Sequence, residues 1–162
     1  MAVGVYEEHS CVSMEFLPKT TLLSVTFIYE AIGSFPSLRD IYLHIIFVVD
    51  AYINYALQGN PNYPSLNYNE YDSIEKITKY LEQVESKTNA YLSKVTPEEL
   101  ARNIERKQKD GSTFLVPVED ILLDFFQEET HHRGELIALL WQMDVAPPHM
   151  GFIQYLRSQM RK

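Results

Sequence analysis

The chain has a single cysteine, Cys11, and that scarcity removes whole classes of scaffold and site. One thiol closes no disulfide within the chain, so stability does not require an oxidising compartment, and a cysteine-based zinc site is excluded. Basic residues are also few. Fourteen Lys and Arg against 22 Asp and Glu leave a formal charge of −8, which repels phosphate backbones and anionic lipid surfaces, so nucleic acid is not an expected partner. The first ten residues carry Glu7 and Glu8 where an export signal has a basic segment and an apolar run. The most apolar later stretch, residues 41–57, is broken by His44, Asp50 and Asn54, so no membrane span is expected either. These features together point to the cytoplasm. Internal repeats and low-complexity tracts are absent. What is present, 162 residues of which 46% are hydrophobic, suits one soluble domain spanning residues 1–162, with residues 1–16 as a loose N-terminal arm.

Beyond the arm the pattern is helical with one irregular interval. Residues 21–32 are helix-compatible despite several β-branched side chains, and Gly33, Ser34 and Pro36 break the run. Ser37 with Asp40 resembles a capping box opening a second helix that Gly59 closes. Residues 59–72 hold Asn60-Pro61, Tyr63-Pro64 and further Asn and Tyr residues, which is turn chemistry. From 73 to 95, Ile74, Ile77, Leu81, Val84 and Leu92 recur at helical spacing among Glu and Lys. Thr96-Pro97-Glu98-Glu99 opens a short turn. Lys109-Asp110-Gly111-Ser112 lies between two short extended pieces, predicting a small hairpin or irregular excursion before a long helix starts near Pro117. Pro147-Pro148 follows that helix, and residues 150–160 suit a short terminal helix. The expected fold is all-α, an up-down four-helix bundle.

The long helix carries the chemistry. Gln127-Glu128-Glu129-Thr130-His131-His132-Arg133-Gly134-Glu135-Leu136 loads imidazoles and carboxylates onto an element whose flanks, Val118, Leu122, Phe125, Leu136, Leu139, Leu140 and Met143, form an apolar stripe. At 100° per residue His132 falls inside the stripe, Glu129 near its middle and Glu128 on its shoulder, while His131 points away. Buried groups of this kind are costly without a partner, and a divalent ion is one such partner. His132 and a carboxylate three or four residues earlier are placed to share it. On the second helix His44 aligns with Ile41, Val48, Ala51 and Tyr55, and facing helices of a bundle bring such inward residues together. His44, Glu128 and His132 then give two imidazoles and one carboxylate, an inventory that suits zinc with an open position and equally non-haem iron.

Plainer readings stand beside this one. His44 alone is compatible with a hydrogen-bonded core histidine, and Glu129 with an ion pair to Arg133 at i,i+4. Tyr63, Tyr68 and Tyr71 fit loop packing better than an active-site lid. Cys11 reads as an inert thiol, and His9 and His149 as loop residues. Glu128-x-x-His131 and Glu129-x-x-His132 both match half of a ferritin-like dinuclear site, but that bundle needs a second such motif on another helix, and the sequence has none.

The run His131-His132-Arg133-Gly134-Glu135-Leu136, with Leu139-Leu140 and Ala146-Pro147-Pro148 after it, resembles the signature of DinB-like (YfiT-type) four-helix bundles. Leu38-Arg39-Asp40-Ile41-Tyr42-Leu43-His44-Ile45 resembles that family's second-helix histidine segment. The resemblance implies a mononuclear divalent site with one histidine from the second helix and two, four residues apart, from the later one. Carried over, these positions are His44, Glu128 and His132, so an anion replaces the middle neutral ligand. The family's usual glutamine after Arg-Gly is Glu135 here.

What the resemblance implies about activity is a class of chemistry. Characterised relatives include metal-dependent transferases and isomerases that use low-molecular-weight thiols. The expectation is therefore an enzyme holding one divalent ion, be it zinc, nickel, iron or manganese. It would act on a small molecule with a thiol, or with metal-activated water as a hydrolase, and homodimerisation is compatible with family behaviour. The alternative is a non-catalytic metal-binding or interaction module.

Overall fold

The computed structural model describes residues 34–60 and 65–148 and, nearer the C-terminus, Gly151, Ile153, Leu156, Arg157 and Met160. The expected arm at 1–16 and first helix at 21–32 lie outside the described residues, together with Cys11, His9, Tyr63 and His149 and much of the expected terminal helix.

Helix α1 runs from Leu38 to Val49. Ser37 has extended backbone and its hydroxyl accepts the Asp40 N–H at 3.2 Å, so the cap falls where the Ser37/Asp40 pair places it. The return limb of a capping box is replaced, because the Asp40 carboxylate accepts instead from the Arg39 guanidinium at 2.8 and 3.0 Å. The helix does not stop at Val49 but widens into a π-helical stretch, Asp50–Ala56. Its signature is the i→i+5 bond, seen from Leu57 N–H to the Tyr52 carbonyl at 2.9 Å, and a Schellman pair from Asn60 N–H to the Tyr55 carbonyl at 2.9 Å and Gly59 N–H to the Ala56 carbonyl at 3.1 Å closes it. Gly59, at φ 71°, ends it in the left-handed conformation that glycine adopts without a Cβ penalty.

A single 3₁₀ turn, Tyr68–Glu70, interrupts the following loop, and Tyr68 and Tyr71 pack half-buried against the core. Helix α2, Ile74–Leu92, starts at a Ser73 cap and buries Ile77, Leu81, Val84 and Thr88 along one side. Helix α3, Pro97–Ala101, is one short turn capped by Thr96. Arg102 ties it in: its guanidinium pairs with Glu99 at 2.7 Å and also donates to the Leu57 carbonyl at the end of the π-helical stretch.

Strands β1, Asn103–Lys107, and β2, Thr113–Pro117, form an antiparallel two-stranded sheet, so the described residues are mostly helical with a β hairpin inserted before the last long helix. At its tip Gly111 has φ 88° and the Asp110 carboxylate accepts from the Ser112 N–H and hydroxyl at 2.9 and 2.6 Å. Helix α4, Val118–Gln142, follows directly. It closes in a Schellman motif: Val145 N–H bonds the Leu140 carbonyl at 2.9 Å and Asp144 N–H the Trp141 carbonyl at 3.2 Å, with Asp144 at φ 56°.

Helix α1 packs against α2 and α4, and the core lies between them, with Ile41, Leu43, Ile46, Ile77, Leu81, Leu136 and Leu140 nearly inaccessible. The buried side of α4 is the stripe Val118, Ile121, Leu122, Phe125, Leu136, Leu139 and Leu140, and Glu129 and His132 sit within it. Two polar side chains on a core face must be paired, and their pairings define the site.

Candidate metal centre

His44 stands near the middle of α1, half-buried, and His132 on the facing side of α4, 7% exposed. Their ring centroids are 4.6 Å apart and nearly perpendicular, at 83°. Glu128, one turn before His132, brings Oε2 to 3.7 Å from His132 Nε2. One ligand atom from each of His44, Glu128 and His132 lies within 4.8 Å of the other two. Donors about 2.1 Å from one tetrahedral ion are ~3.4 Å apart, close to the 3.7 Å between His132 and Glu128, while the 4.8 Å limit on the full set leaves room for the side chains to close inward. At 3.7 Å the His132–Glu128 contact is too long for a hydrogen bond and has the span of two ligands with an ion between them.

The ring of His132 is oriented from its other side. Nδ1 lies 2.7 Å from Glu135 Oε2, and Glu135 Oε1 accepts from the Ser34 hydroxyl at 2.6 Å and more weakly from its N–H at 3.4 Å. Burial of Glu135 opposes ionisation, but the hydrogen bonds from Ser34 and His132 outweigh it and hold the carboxyl below the usual range. Phe35 covers both imidazoles, its ring 4.6 Å from that of His44 and 5.6 Å from that of His132. For His44, burial first and then the neighbouring His132 push the pKa down, against the opposing pull of Glu128 and Glu135. That shift favours the neutral imidazole, the form able to coordinate a metal.

Glu129 is buried, at 4% exposure, and ion-paired with Arg133 one turn on. That pairing separates the two candidate carboxylates: Glu129 is committed to a guanidinium, and Glu128 faces the histidines. It also empties the Glu129-x-x-His132 motif of a dinuclear role. His131 is exposed, as its helical phase requires, although one of its ring nitrogens falls in a second grouping with His132 and Glu135. The donor set of His44, Glu128 and His132 fits a borderline divalent ion, with Glu128, 47% exposed, on the solvent side.

Sequence reasoning did not find Ser34 and Phe35 as neighbours of the site. Ser34 reads only as part of the break before α1 and Phe35 carries no reading, and nothing local marks the bond from Ser34 to a residue 101 positions away. Glu135 did carry a signal, since i,i+3 spacing sets it beside His132.

Helices that bring two imidazoles and a carboxylate to one point define a class of helical proteins with a His/Glu group suited to a divalent ion. The DinB family model matches residues 17–162, and the chain belongs to that family. No curated protein matches the chain. Among the described residues no helix is long and apolar enough to cross a membrane.

Proposed function

We propose that this DinB protein binds one divalent ion through His44, Glu128 and His132 and is a metal-dependent enzyme of the transferase type, using a low-molecular-weight thiol. The observation that carries the reading is the convergence of those three ligand atoms within 4.8 Å. A bound ion would lower the pKa of a thiol or water that reaches it, supplying a nucleophile at neutral pH without calling on a cysteine of the chain. The thiol sulfur then bonds to an electrophilic carbon as the leaving group departs, and the thiol proton goes to solvent. The residues of the chain hold geometry: Phe35 shields the imidazoles from water, and Glu128 keeps the solvent-facing side polar.

The proposal extends to an up-down four-helix bundle and to a cytoplasmic setting. A homodimer is supported by the exposed apolar side chains Leu123, Phe126 and Trp141 on α4. The test is conjugation of a thiol panel to an electrophile by metal-loaded protein purified without an affinity tag. Conjugation that His132→Ala abolishes supports the reading, and equal rates in both proteins refute it. Tight, stoichiometric metal with no turnover of any thiol or ester would identify a metal-binding module instead.

A further inference from the structure

We propose that Glu135, anchored by Ser34, is a positioning residue that fixes His132 as the tautomer bearing hydrogen on Nδ1 and leaves Nε2 unprotonated toward Glu128 and His44. The purpose of this arrangement rests on the metal-site reading above, but its geometry does not. Among the described residues, Nδ1 has a partner at hydrogen-bond distance, Glu135 Oε2 at 2.7 Å, whereas Nε2 stands 3.7 Å from Glu128 Oε2. With hydrogen on Nδ1 the short contact is a charge-assisted bond. In the other tautomer, the lone pair of Nδ1 would face a carboxylate oxygen at that same 2.7 Å, a repulsive pairing in a half-buried place.

Glu135 is itself fixed. Its Oε1 accepts from the Ser34 hydroxyl at 2.6 Å and from the Ser34 N–H at 3.4 Å, so the carboxylate cannot turn without breaking contacts to the segment before α1. The next residue, Phe35, lays its ring against His44 and His132. Ser34 and Phe35 together form a clasp, the first through the carboxylate and the second through the rings, that joins the start of α1 to the ligand-bearing turn of α4. An imidazole whose far nitrogen donates to a carboxylate is held in one orientation and tautomer, as metal-bound histidines commonly are, and partners of this kind are worth about 10–100-fold in affinity.

The experiment is a long-range ¹H–¹⁵N correlation spectrum of histidine-labelled, chelator-treated protein at about pH 8, above the ordinary histidine range, with zinc titrated afterwards into the same samples. Wild-type His132 is expected to show a protonated Nδ1 and an unprotonated Nε2. Glu135→Ala should shift the ring toward the Nε2–H form and weaken zinc binding by about 10–100-fold. Glu135→Gln, whose amide oxygen still accepts, should restore the Nδ1–H signature. Ser34→Ala, outside α4, should give a mixture while leaving the helix unaltered by circular dichroism. An Nε2–H or doubly protonated His132 in the wild type, or an unchanged tautomer in Glu135→Ala, overturns the proposal. If the wild type takes up no zinc, the metal-site reading fails, while the tautomer spectrum still decides the role of Glu135.

Discussion

His44 and His132 meet ring to ring, 4.6 Å apart at 83°, across the packed interface of α1 and α4. The contact places two imidazoles beside Glu128, and the proposed site assigns each group a different contribution. If each is a direct ligand as proposed, replacing His44 or His132 by Ala should weaken binding of a divalent ion at least as much as loss of an outer-shell partner, about 10–100-fold. His131→Ala, at an exposed ring, should change it by no more than about 3-fold. Isothermal titration with zinc checks all three, and equal losses for His131 and His132 would contradict the assignment.

The Glu129–Arg133 pair makes a separate prediction about stability. Glu129 is nearly inaccessible, so Arg133→Met leaves its charge uncompensated and should cost about 3–5 kcal/mol in urea unfolding. Removing both charges with Glu129→Leu and Arg133→Met should recover most of that loss, because the same core site then holds apolar groups. A double variant as unstable as the single one would show that the pair acts through something other than charge compensation.

Acid sensitivity should depend on Glu99. The Arg102 guanidinium, set against the burial of the carboxyl, and then the Tyr91 hydroxyl hold its pKa below 4.5. A carboxylate with a depressed folded-state pKa contributes stability that is fully present above its unfolded value and is lost as pH falls through the folded one. That contribution is therefore intact above about pH 4.5 and disappears below it. Arg102→Met should move the acid-unfolding midpoint to higher pH, as followed by circular dichroism. An unmoved midpoint would refute the linkage.

Asp144 occupies the left-handed position that closes α4, at φ 56°. Glycine meets no steric cost there, so Asp144→Gly is expected to stabilise the protein by roughly 1 kcal/mol, measured as a rise in the urea midpoint. Destabilisation by that substitution would mean that the side chain contributes more than its backbone strain removes.

Much of this was legible in the residues because local periodicity and turn chemistry act at short range. The phase of α4 alone placed His132 and Glu129 inward and His131 outward, and Asp110-Gly111 marked the hairpin tip. The family position pointed to Glu128, but both carboxylates lie near the stripe, and the observed Glu129–Arg133 pairing together with the approach of Glu128 to His132 is what separates them. The π-helical stretch after Val49 carries no proline or glycine to announce it. The Ser34–Glu135 bond joins positions 101 apart, where no spacing rule operates.

The central claim is that His44, Glu128 and His132 share one ion. Elemental analysis of untagged protein followed by X-ray absorption at the edge of the bound metal tests it most directly. The expected result is one divalent ion per chain, with two imidazoles and at least one oxygen at about 2.0–2.2 Å, and one imidazole fewer in His44→Ala. An ion-free protein that also refuses added zinc, or a first shell unchanged by His44→Ala, would contradict the account.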